Sequence, residues 1–169
     1  YWNTNALYYL WLGIGAYLAN FPEIKYLFGG VSISNNYPDF AKTMMVYFYS
    51  KWFKDNDNYS QSKNKYKISL ASVNELINIF DGTTYSEDYK ILKQMLKPYG
   101  LTVPILYKHY AELCEQEGIR FMDFGVDPDF ENCIDGLILV DINKIKEEKK
   151  ERFINCFYNN ERNSLNLTS

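Results

Sequence analysis

The sequence predicts an α/β domain, with α+β character, in which a mixed central sheet is flanked by helices. Residues 26–34 form a short apolar and aromatic run broken by two glycines, which is typical of a strand between helices. Residues 119–126 alternate apolar and polar side chains, whereas residues 134–142 are almost continuously apolar. Helix-like repeats of apolar residues lie between these segments, and together the three observations define the fold class.

The strand order also follows from the apolar pattern. A nearly continuous apolar strand requires a neighbour on each side and cover on both faces, so 134–142 is predicted to be central. The alternating segment 119–126 has the pattern of an edge strand. Its short link to 134–142 predicts antiparallel pairing. We therefore expect 134–142 to lie between 26–34 and 119–126.

The first helix is predicted over residues 5–18, after polar capping residues at positions 3–5, and it ends before Pro22. Gly13 and Gly15 inside it indicate close packing against the sheet. Its apolar residues repeat at helical spacing. They are Leu7, Leu10, Trp11, Ile14, Tyr17, Leu18 and Phe21.

The second helix is predicted over residues 39–53, with Pro38 at its start. Its apolar face consists of Ala41, Met44, Met45, Phe48 and Trp52. The polar segment 54–67 follows and is predicted to be a surface loop.

Three further helices are predicted within residues 71–118, as a helical excursion on one side of the sheet. A capping box at Ser72 and Glu75 begins the first, the second ends at Pro98, and Pro104 begins the third. Side chains expected to face inward are Val73, Leu76, Ile77, Phe80, Ile91, Leu92, Met95, Leu96, Leu106, Tyr110 and Leu113.

A last helix is predicted over about 143–157, so that residues 1–158 form a single domain and 159–169 a polar tail. The chain opens in the middle of a pattern and without methionine. We therefore expect an N-terminal part of the natural protein to precede Tyr1.

Composition excludes several classes of function. The 18 Lys and Arg against 21 Asp and Glu leave a net charge of −3, which does not favour nucleic-acid binding. Three widely spaced cysteines and a single histidine, His109, argue against a metal site or a disulfide framework and favour a reducing, cytoplasmic compartment. The apolar run near the N-terminus is too short to span a bilayer.

Few residues outside the predicted core carry chemistry. Ser32 and Ser34 share a strand face, and either bond to the backbone or orient a substrate. Asp127 and Asp129 either stabilise a turn or bind a cationic amine. His109 lacks a neighbouring partner in sequence, so a surface or core role is more common than catalysis for such a residue.

The link after strand 119–126 is longer than the two-residue turn of a simple hairpin. We predict that Phe130 packs inward and anchors this link. Asp127 or Asp129 would then face a cleft at the end of strand 26–34, where a carboxylate holds an amine through a charge-assisted hydrogen bond.

Two ordered blocks of the sequence carry a family resemblance. The first contains the runs WNTNAL, YLW, GIGAYL, YLFG and VSIS between residues 2 and 34. The second contains Pro104, Leu106, Lys108 and Tyr110, followed by DPDFE at 127–131 and the apolar run 134–141. Together they resemble the hemolysin-like acyltransferase family, which is related to ornithine N-acyltransferases of ornithine-lipid synthesis and belongs to the GNAT superfamily. The sequence departs from the family pattern at Gly30, at His109 and in residues 111–113.

The resemblance implies a GNAT-like fold that lacks its upstream strands, and an enzyme that moves a fatty acyl group from a thioester to an amine. The donor would be acyl-acyl carrier protein or acyl-CoA as a co-substrate, with no permanently bound cofactor. The acceptor would be an amine-bearing precursor of an ornithine-lipid-like membrane lipid. The implied partners are acyl carrier protein, the inner face of the membrane as a peripheral contact, and a fused glycerolipid acyltransferase domain upstream.

The resemblance also implies site residues. Asn3, Thr4 and Asn5, at the start of the first helix, would receive the phosphate of the donor, because free amides and the helix dipole favour an anion there. The catalytic candidates are Ser34, Asp127 and Asp129. The substrate-binding candidates are Phe28, Gly29, Gly30, Val31, Ser32, Lys108 and Phe130. The alternative hypothesis is a non-catalytic lipid- or partner-binding domain derived from the same fold, of the kind named hemolysin.

Overall fold

The structure is a computed structural model that describes residues 5–158. Its sheet has three strands, β1 (Tyr26–Ile33), β2 (Ile119–Asp127) and β3 (Cys133–Asp141). The helices of the described residues are α1 (Asn5–Asn20), α2 (Asp39–Trp52), α3 (Leu70–Ile79), α4 (Tyr85–Leu96), α5 (Ile105–Ala111) and α6 (Glu147–Lys150). The predicted α/β class is confirmed.

The strand order is β1-β3-β2, so the prediction of a central third strand is confirmed. Ile134 of β3 lies opposite Ile33 on one side and Val126 on the other. Both pairs are antiparallel. A parallel pairing occurs as an isolated bridge between Lys54 and Phe121, at the outer side of β2.

One face of the sheet is covered by helices and forms the core. Successive side chains of a strand point to opposite faces, and every second residue of β3 is buried. The covered face packs against buried residues of α1, α2 and α5. These buried residues include Trp11, Met45, Phe48 and Tyr107 on the helices and Val31, Ile33, Ile134, Ile138 and Val140 on the strands.

The other face of the sheet is more open. Phe28 and Ser32 of β1 are exposed there, and Asp135 and Leu137 of β3 are half-buried. The expected cover on both faces of β3 is therefore incomplete in the described part of the chain, because the helices of the core pack on the same face.

The predicted loop after α2 is attached to the outer strand. The Phe121 amide donates to the Phe53 carbonyl at 2.7 Å, the Tyr66 amide to Phe124 at 2.9 Å and the Val126 amide to Asn64 at 2.8 Å. These bonds satisfy backbone groups at the outer edge of β2, which an edge strand would otherwise leave open.

Two details of the helical excursion differ from the prediction. The side chain of Ser69 caps α3 by accepting from the Ser72 amide, so the capping box predicted at Ser72 is wrong. The true capping box joins Thr84 and Glu87 at the start of α4. Ile77 and Met95, predicted to face inward, are exposed, because one narrow stripe of each helix contacts the core.

The glycines of α1 do not pack against the sheet as predicted. A β-carbon on Gly15 would lie 1.6 Å from the Phe153 carbonyl oxygen. The absence of a side chain at Gly15 therefore lets the C-terminal helical segment pack closely against α1. At Gly13 there is no heavy atom within 4 Å of that position. Three apolar residues of the predicted α1 stripe are exposed, namely Leu10, Tyr17 and Phe21.

The C-terminal part of the described chain is not one continuous α-helix over 143–157. A 3₁₀ turn at Ile142–Lys144 precedes α6, and a π-helical turn at Glu151–Asn155 follows it. The polar tail predicted at 159–169 lies outside the described residues.

Candidate functional site

An apolar pocket of about 520 Å³ lies between α1 and the β1 edge of the sheet. Leu27 and Gly29 of β1 form one wall, and Leu10, Gly13 and Tyr17 of α1 form the opposite wall. Tyr110 and Leu113 lie at or near the end of α5 and also contribute to the lining. Because most of these groups are apolar, the pocket suits a hydrocarbon chain.

A polar pocket of about 480 Å³ lies over the open face of the sheet. Its lining includes Gly30 of β1 and Asp135 of β3. The segment 60–64 and the turn between β2 and β3 also contribute. Four aspartates line it, namely Asp123, Asp127, Asp129 and Asp135. This concentration of carboxylates suits a cationic or hydrogen-bond-donating ligand.

The two pockets are bordered by adjacent residues of one strand. Gly29 lines the apolar pocket, and Gly30 lines the polar pocket. A β-carbon placed on either glycine would have no heavy atom within 4 Å. The missing side chains therefore leave open space on both sides of β1, which would let a ligand approach the backbone.

Two of the four aspartates accept hydrogen bonds from backbone amides. The Asp123 carboxylate accepts from the Ser62 amide at 2.9 Å and the Phe124 amide at 2.9 Å, and Lys65 lies 3.1 Å from it. Asp127 Oδ1 accepts from the amides of Asp129 at 2.9 Å and Phe130 at 3.2 Å. Asp127 thus stabilises the turn and also lines the polar pocket.

Asp135 and Ser32 form a hydrogen-bonded pair across β3 and β1. The two residues lie opposite each other in the sheet, and Ser32 Oγ donates to Asp135 Oδ1 at 2.5 Å. Nothing in the sequence marks Asp135 as a site residue, because it is an isolated carboxylate in an apolar strand. The antiparallel register that places it opposite Ser32 is a tertiary feature.

Several predicted site residues lie elsewhere. Ser34 follows the end of β1, and its Oγ accepts from the Asn36 amide at 3.2 Å, so it does not share the strand face of Ser32. Val31 is buried in the core, and its carbonyl accepts from Tyr107 at 3.0 Å. Lys108 is exposed on α5 and is absent from the lining of both pockets.

The prediction that Phe130 packs inward is wrong, because 59% of the residue is exposed. The turn does not need an apolar anchor. The Asp127 carboxylate accepts hydrogen bonds from two backbone amides of the turn. Glu131 and Asn132 adopt left-handed φ values of 52° and 55°, which return the chain to β3. Phe28 is also exposed, but it contributes to the apolar pocket as well.

The predicted phosphate-binding residues lie at the boundary of the described chain. Asn3 and Thr4 are outside it, and Asn5 is the first residue of α1. Their role therefore stays a prediction.

A third groove, of about 950 Å³, lies beside the outer edge of β2 and is lined by many charged residues. Several of its cations already have partners, since Lys51 pairs with the buried Asp88 at 2.6 Å and Lys144 with Glu117 at 3.5 Å. Cys114 also lines it. Burial raises the pKa of its thiol to about 12, so Cys114 is not a ready nucleophile.

Residues 5–158 contain no cluster of three or more His, Cys, Asp or Glu side chains that could hold a metal ion. Over the same residues, no helix is long and apolar enough to cross a membrane.

Comparison with known proteins gives two relatives that match almost the whole chain, each named glycine N(alpha)-acyltransferase. The protein from Phocaeicola vulgatus is 29% identical over 164 residues, which are 97% of this chain and 49% of the relative. The protein from Bacteroides thetaiotaomicron is 30% identical over 162 residues, which are 96% of this chain and 47% of the relative. The chain therefore spans about half the length of the curated relatives it matches.

No protein-family model matches the chain. No solved structure matches it significantly. The three-stranded antiparallel sheet with its helices is consistent with a small GNAT-like acyltransferase fold. Neither relative's name refers to hemolysins or to ornithine lipids.

Proposed function

We propose that the protein is an N-acyltransferase that moves a fatty acyl group from a thioester of CoA or acyl carrier protein to the α-amine of a small amino acid. The proposal rests above all on the adjacent residues Gly29 and Gly30, which border an apolar and a carboxylate-lined pocket. Such a site holds an acyl chain and an amine on the two sides of one strand. The names of the two relatives favour glycine as the acceptor.

The apolar pocket would hold the acyl chain. Each buried methylene contributes about 0.8 kcal/mol, so a long chain gains far more from this pocket than an acetyl group does. The absence of side chains at Gly13 and Gly29 keeps the pocket open between α1 and β1. We therefore expect a preference for long-chain donors.

The polar pocket would hold the acceptor. Its carboxylates, including the sequence-predicted Asp127 and Asp129, favour a group that carries N–H donors. The thioester carbonyl would lie near Gly29 and Gly30, where we expect backbone amides of residues 29–31 to stabilise the developing oxyanion. The amine nitrogen then forms a bond to the carbonyl carbon, and the carbon–sulfur bond breaks.

The lipid-synthesis setting, acyl carrier protein as donor and ornithine as acceptor rest on the sequence resemblance alone. Acyl carrier protein competes with CoA as the donor in this proposal, and ornithine competes with glycine as the acceptor. A non-catalytic domain would bind an acyl donor without transferring its acyl group.

The direct test is an assay of free thiol release by the full-length protein with long-chain acyl-CoA or acyl-acyl carrier protein, and with glycine, ornithine or no amine. We expect amine-dependent thiol release and an N-acyl product by mass spectrometry, with glycine the better acceptor. No thiol release with any amine and either donor would overturn the proposal. Donor binding without transfer would favour the non-catalytic alternative.

A matched pair of variants tests the two-pocket arrangement. Gly29→Val should raise the KM for a long-chain donor and shift preference toward shorter chains, because the new side chain enters the apolar pocket. Gly30→Val should raise the KM for the amine instead. The two residues are neighbours with equal open space, so each variant is a control for the other. Equal changes in both KM values for both variants would contradict the assignment of the pockets.

A further inference from the structure

We propose that Asp135 accepts the proton of the attacking amine and that Ser32 is its positioning residue. This inference rests on the proposed N-acyltransferase function and deepens it. It differs from the sequence-based prediction, which placed the carboxylate at Asp127 or Asp129.

The hydrogen bonds of the polar pocket distinguish its four carboxylates. Asp123 binds two amides and Lys65, so both of its oxygens have partners within the protein. Asp127 holds the two amides of its turn. Asp129 is exposed on that turn, and its amide is held by Asp127. In residues 5–158 no hydrogen bond reaches Asp127 Oδ2 or the Asp129 carboxylate, but Asp127 ends β2 opposite Cys133 and Asp129 lies on the turn beyond it. A base beside Gly30 instead needs a free carboxylate oxygen in the middle of the sheet.

Asp135 has that arrangement. It is half-buried on the central strand β3, between Ser32 of β1 and Gly125 of β2 in the register of the sheet. Ser32 binds Oδ1, and in residues 5–158 no hydrogen bond reaches Oδ2. One oxygen is thus fixed by the neighbouring strand while the other is available to a ligand in the polar pocket.

The surroundings hold Asp135 next to the proposed reaction centre. Gly30 lies two residues before Ser32 on the same strand face, so the carboxylate and the open space at Gly30 border the same pocket. On the other side, a β-carbon on Gly125 would lie 2.0 Å from Ser62 Oγ. The segment 60–64 therefore packs over Gly125 and forms a wall of the pocket beside Asp135.

The proton balance of the reaction defines the role. The neutral amine attacks, its nitrogen becomes bonded to the carbonyl carbon, and the nitrogen gains positive charge and acidity. Oδ2 of Asp135 then takes one proton from that nitrogen while the carbon–sulfur bond breaks. The thiolate leaves with the sulfur electrons and is protonated by solvent, and Asp135 returns its proton to water.

The test compares amine and donor kinetics of Asp135→Asn, Ser32→Ala and Ser32→Thr in the full-length protein. General-base catalysis contributes about 10²–10⁴-fold, so Asp135→Asn should lower kcat/KM for the amine by that range and leave donor binding within about twofold. Ser32→Ala should lower the amine kcat/KM by a smaller factor, and Ser32→Thr should restore it because the hydroxyl is retained.

Asp141→Asn is the matched control. Asp141 lies on the same strand and face, is absent from the lining of both pockets and caps a 3₁₀ turn that asparagine also caps. We expect its kinetics to be unchanged. Circular dichroism and donor binding check that each variant folds, and the Ser32→Ala and Ser32→Thr pair decides the question if Asp135→Asn does not fold.

The outcomes separate this inference from the proposed function. Absence of turnover in the wild type would overturn both. Wild-type turnover with an unaffected Asp135→Asn variant would overturn the role of Asp135 alone. A lower kcat/KM for the amine in Asp127→Asn or Asp129→Asn, with Asp135→Asn unaffected, would assign proton acceptance to an aspartate of the turn and overturn the role of Asp135.

Discussion

The two faces of the sheet are built from alternate residues of the same strands, yet their surroundings differ. On the covered face, Phe121 has ring neighbours Tyr49, Tyr107 and Phe124 with centroids 5.1–5.5 Å away. On the open face, Ser32 and Asp135 bond to each other beside a pocket. The period-2 alternation of the strands therefore separates the residues that stabilise the fold from those that line the candidate acceptor site.

This separation predicts that equal substitutions have unequal effects on the two faces. Removal of a side chain from the covered face leaves a cavity in a packed core. On the open face, solvent fills the space that the side chain occupied.

The largest difference is expected between two phenylalanines. Phe121 is 3% exposed, and Phe121→Ala should lower the free energy of unfolding by about 3–5 kcal/mol because a packed ring is lost. Phe28 is 77% exposed, and Phe28→Ala should change the free energy of unfolding by less than about 0.5 kcal/mol. Urea denaturation measures both values, and similar losses in the two variants would show that the open face is buried in solution.

A smaller difference is expected between two glycines of neighbouring strands. A β-carbon on Gly136 would lie 2.9 Å from the Phe124 ring and 3.0 Å from the Phe121 ring. Gly136→Ala should therefore cost about 1–3 kcal/mol through overpacking. At Gly30 the same substitution meets no atom within 4 Å and should be neutral or stabilise by about 0.4–1 kcal/mol. Melting temperatures that fall equally in both variants would contradict the assignment of Gly136 to the core side.

Much of the fold could be predicted because its signals are local. The continuous apolar pattern of residues 134–142 identified the central strand, and the polar–apolar alternation of 119–126 identified an edge position that the structure confirms. Gly29 and Gly30 were predicted to bind substrate, and each of them lines a pocket.

The parts that could not be predicted depend on tertiary contacts. Nothing near Gly15 in sequence shows that its partner is the Phe153 carbonyl. Asp135 becomes a site candidate only through its register with Ser32. The inward packing predicted for Phe130 failed because hydrogen bonds to Asp127 hold the turn without an apolar anchor.

The smallest difference is expected between two buried tyrosines of the covered side. Tyr107 Oη donates to the Val31 carbonyl at 3.0 Å, so Tyr107→Phe should cost about 1 kcal/mol. Tyr49 Oη has no hydrogen-bond partner in residues 5–158, so Tyr49→Phe should be neutral or stabilising. A cost for Tyr49→Phe equal to that of Tyr107→Phe would contradict this difference.

The pH dependence of stability gives a second test of whether the Tyr49 hydroxyl is buried. Burial raises the pKa of both Tyr49 and Tyr107 above the ordinary value of about 10. Above that pH the unfolded chain loses phenol protons that the folded chain keeps. The stability that comes from the neutral phenols is therefore complete below pH 10 and is lost as the pH rises. Tyr49→Phe should consequently gain stability relative to the wild type between pH 8 and pH 10.5 in urea denaturation. An unchanged difference between the two proteins over that range would show that the Tyr49 hydroxyl is not buried in the native state.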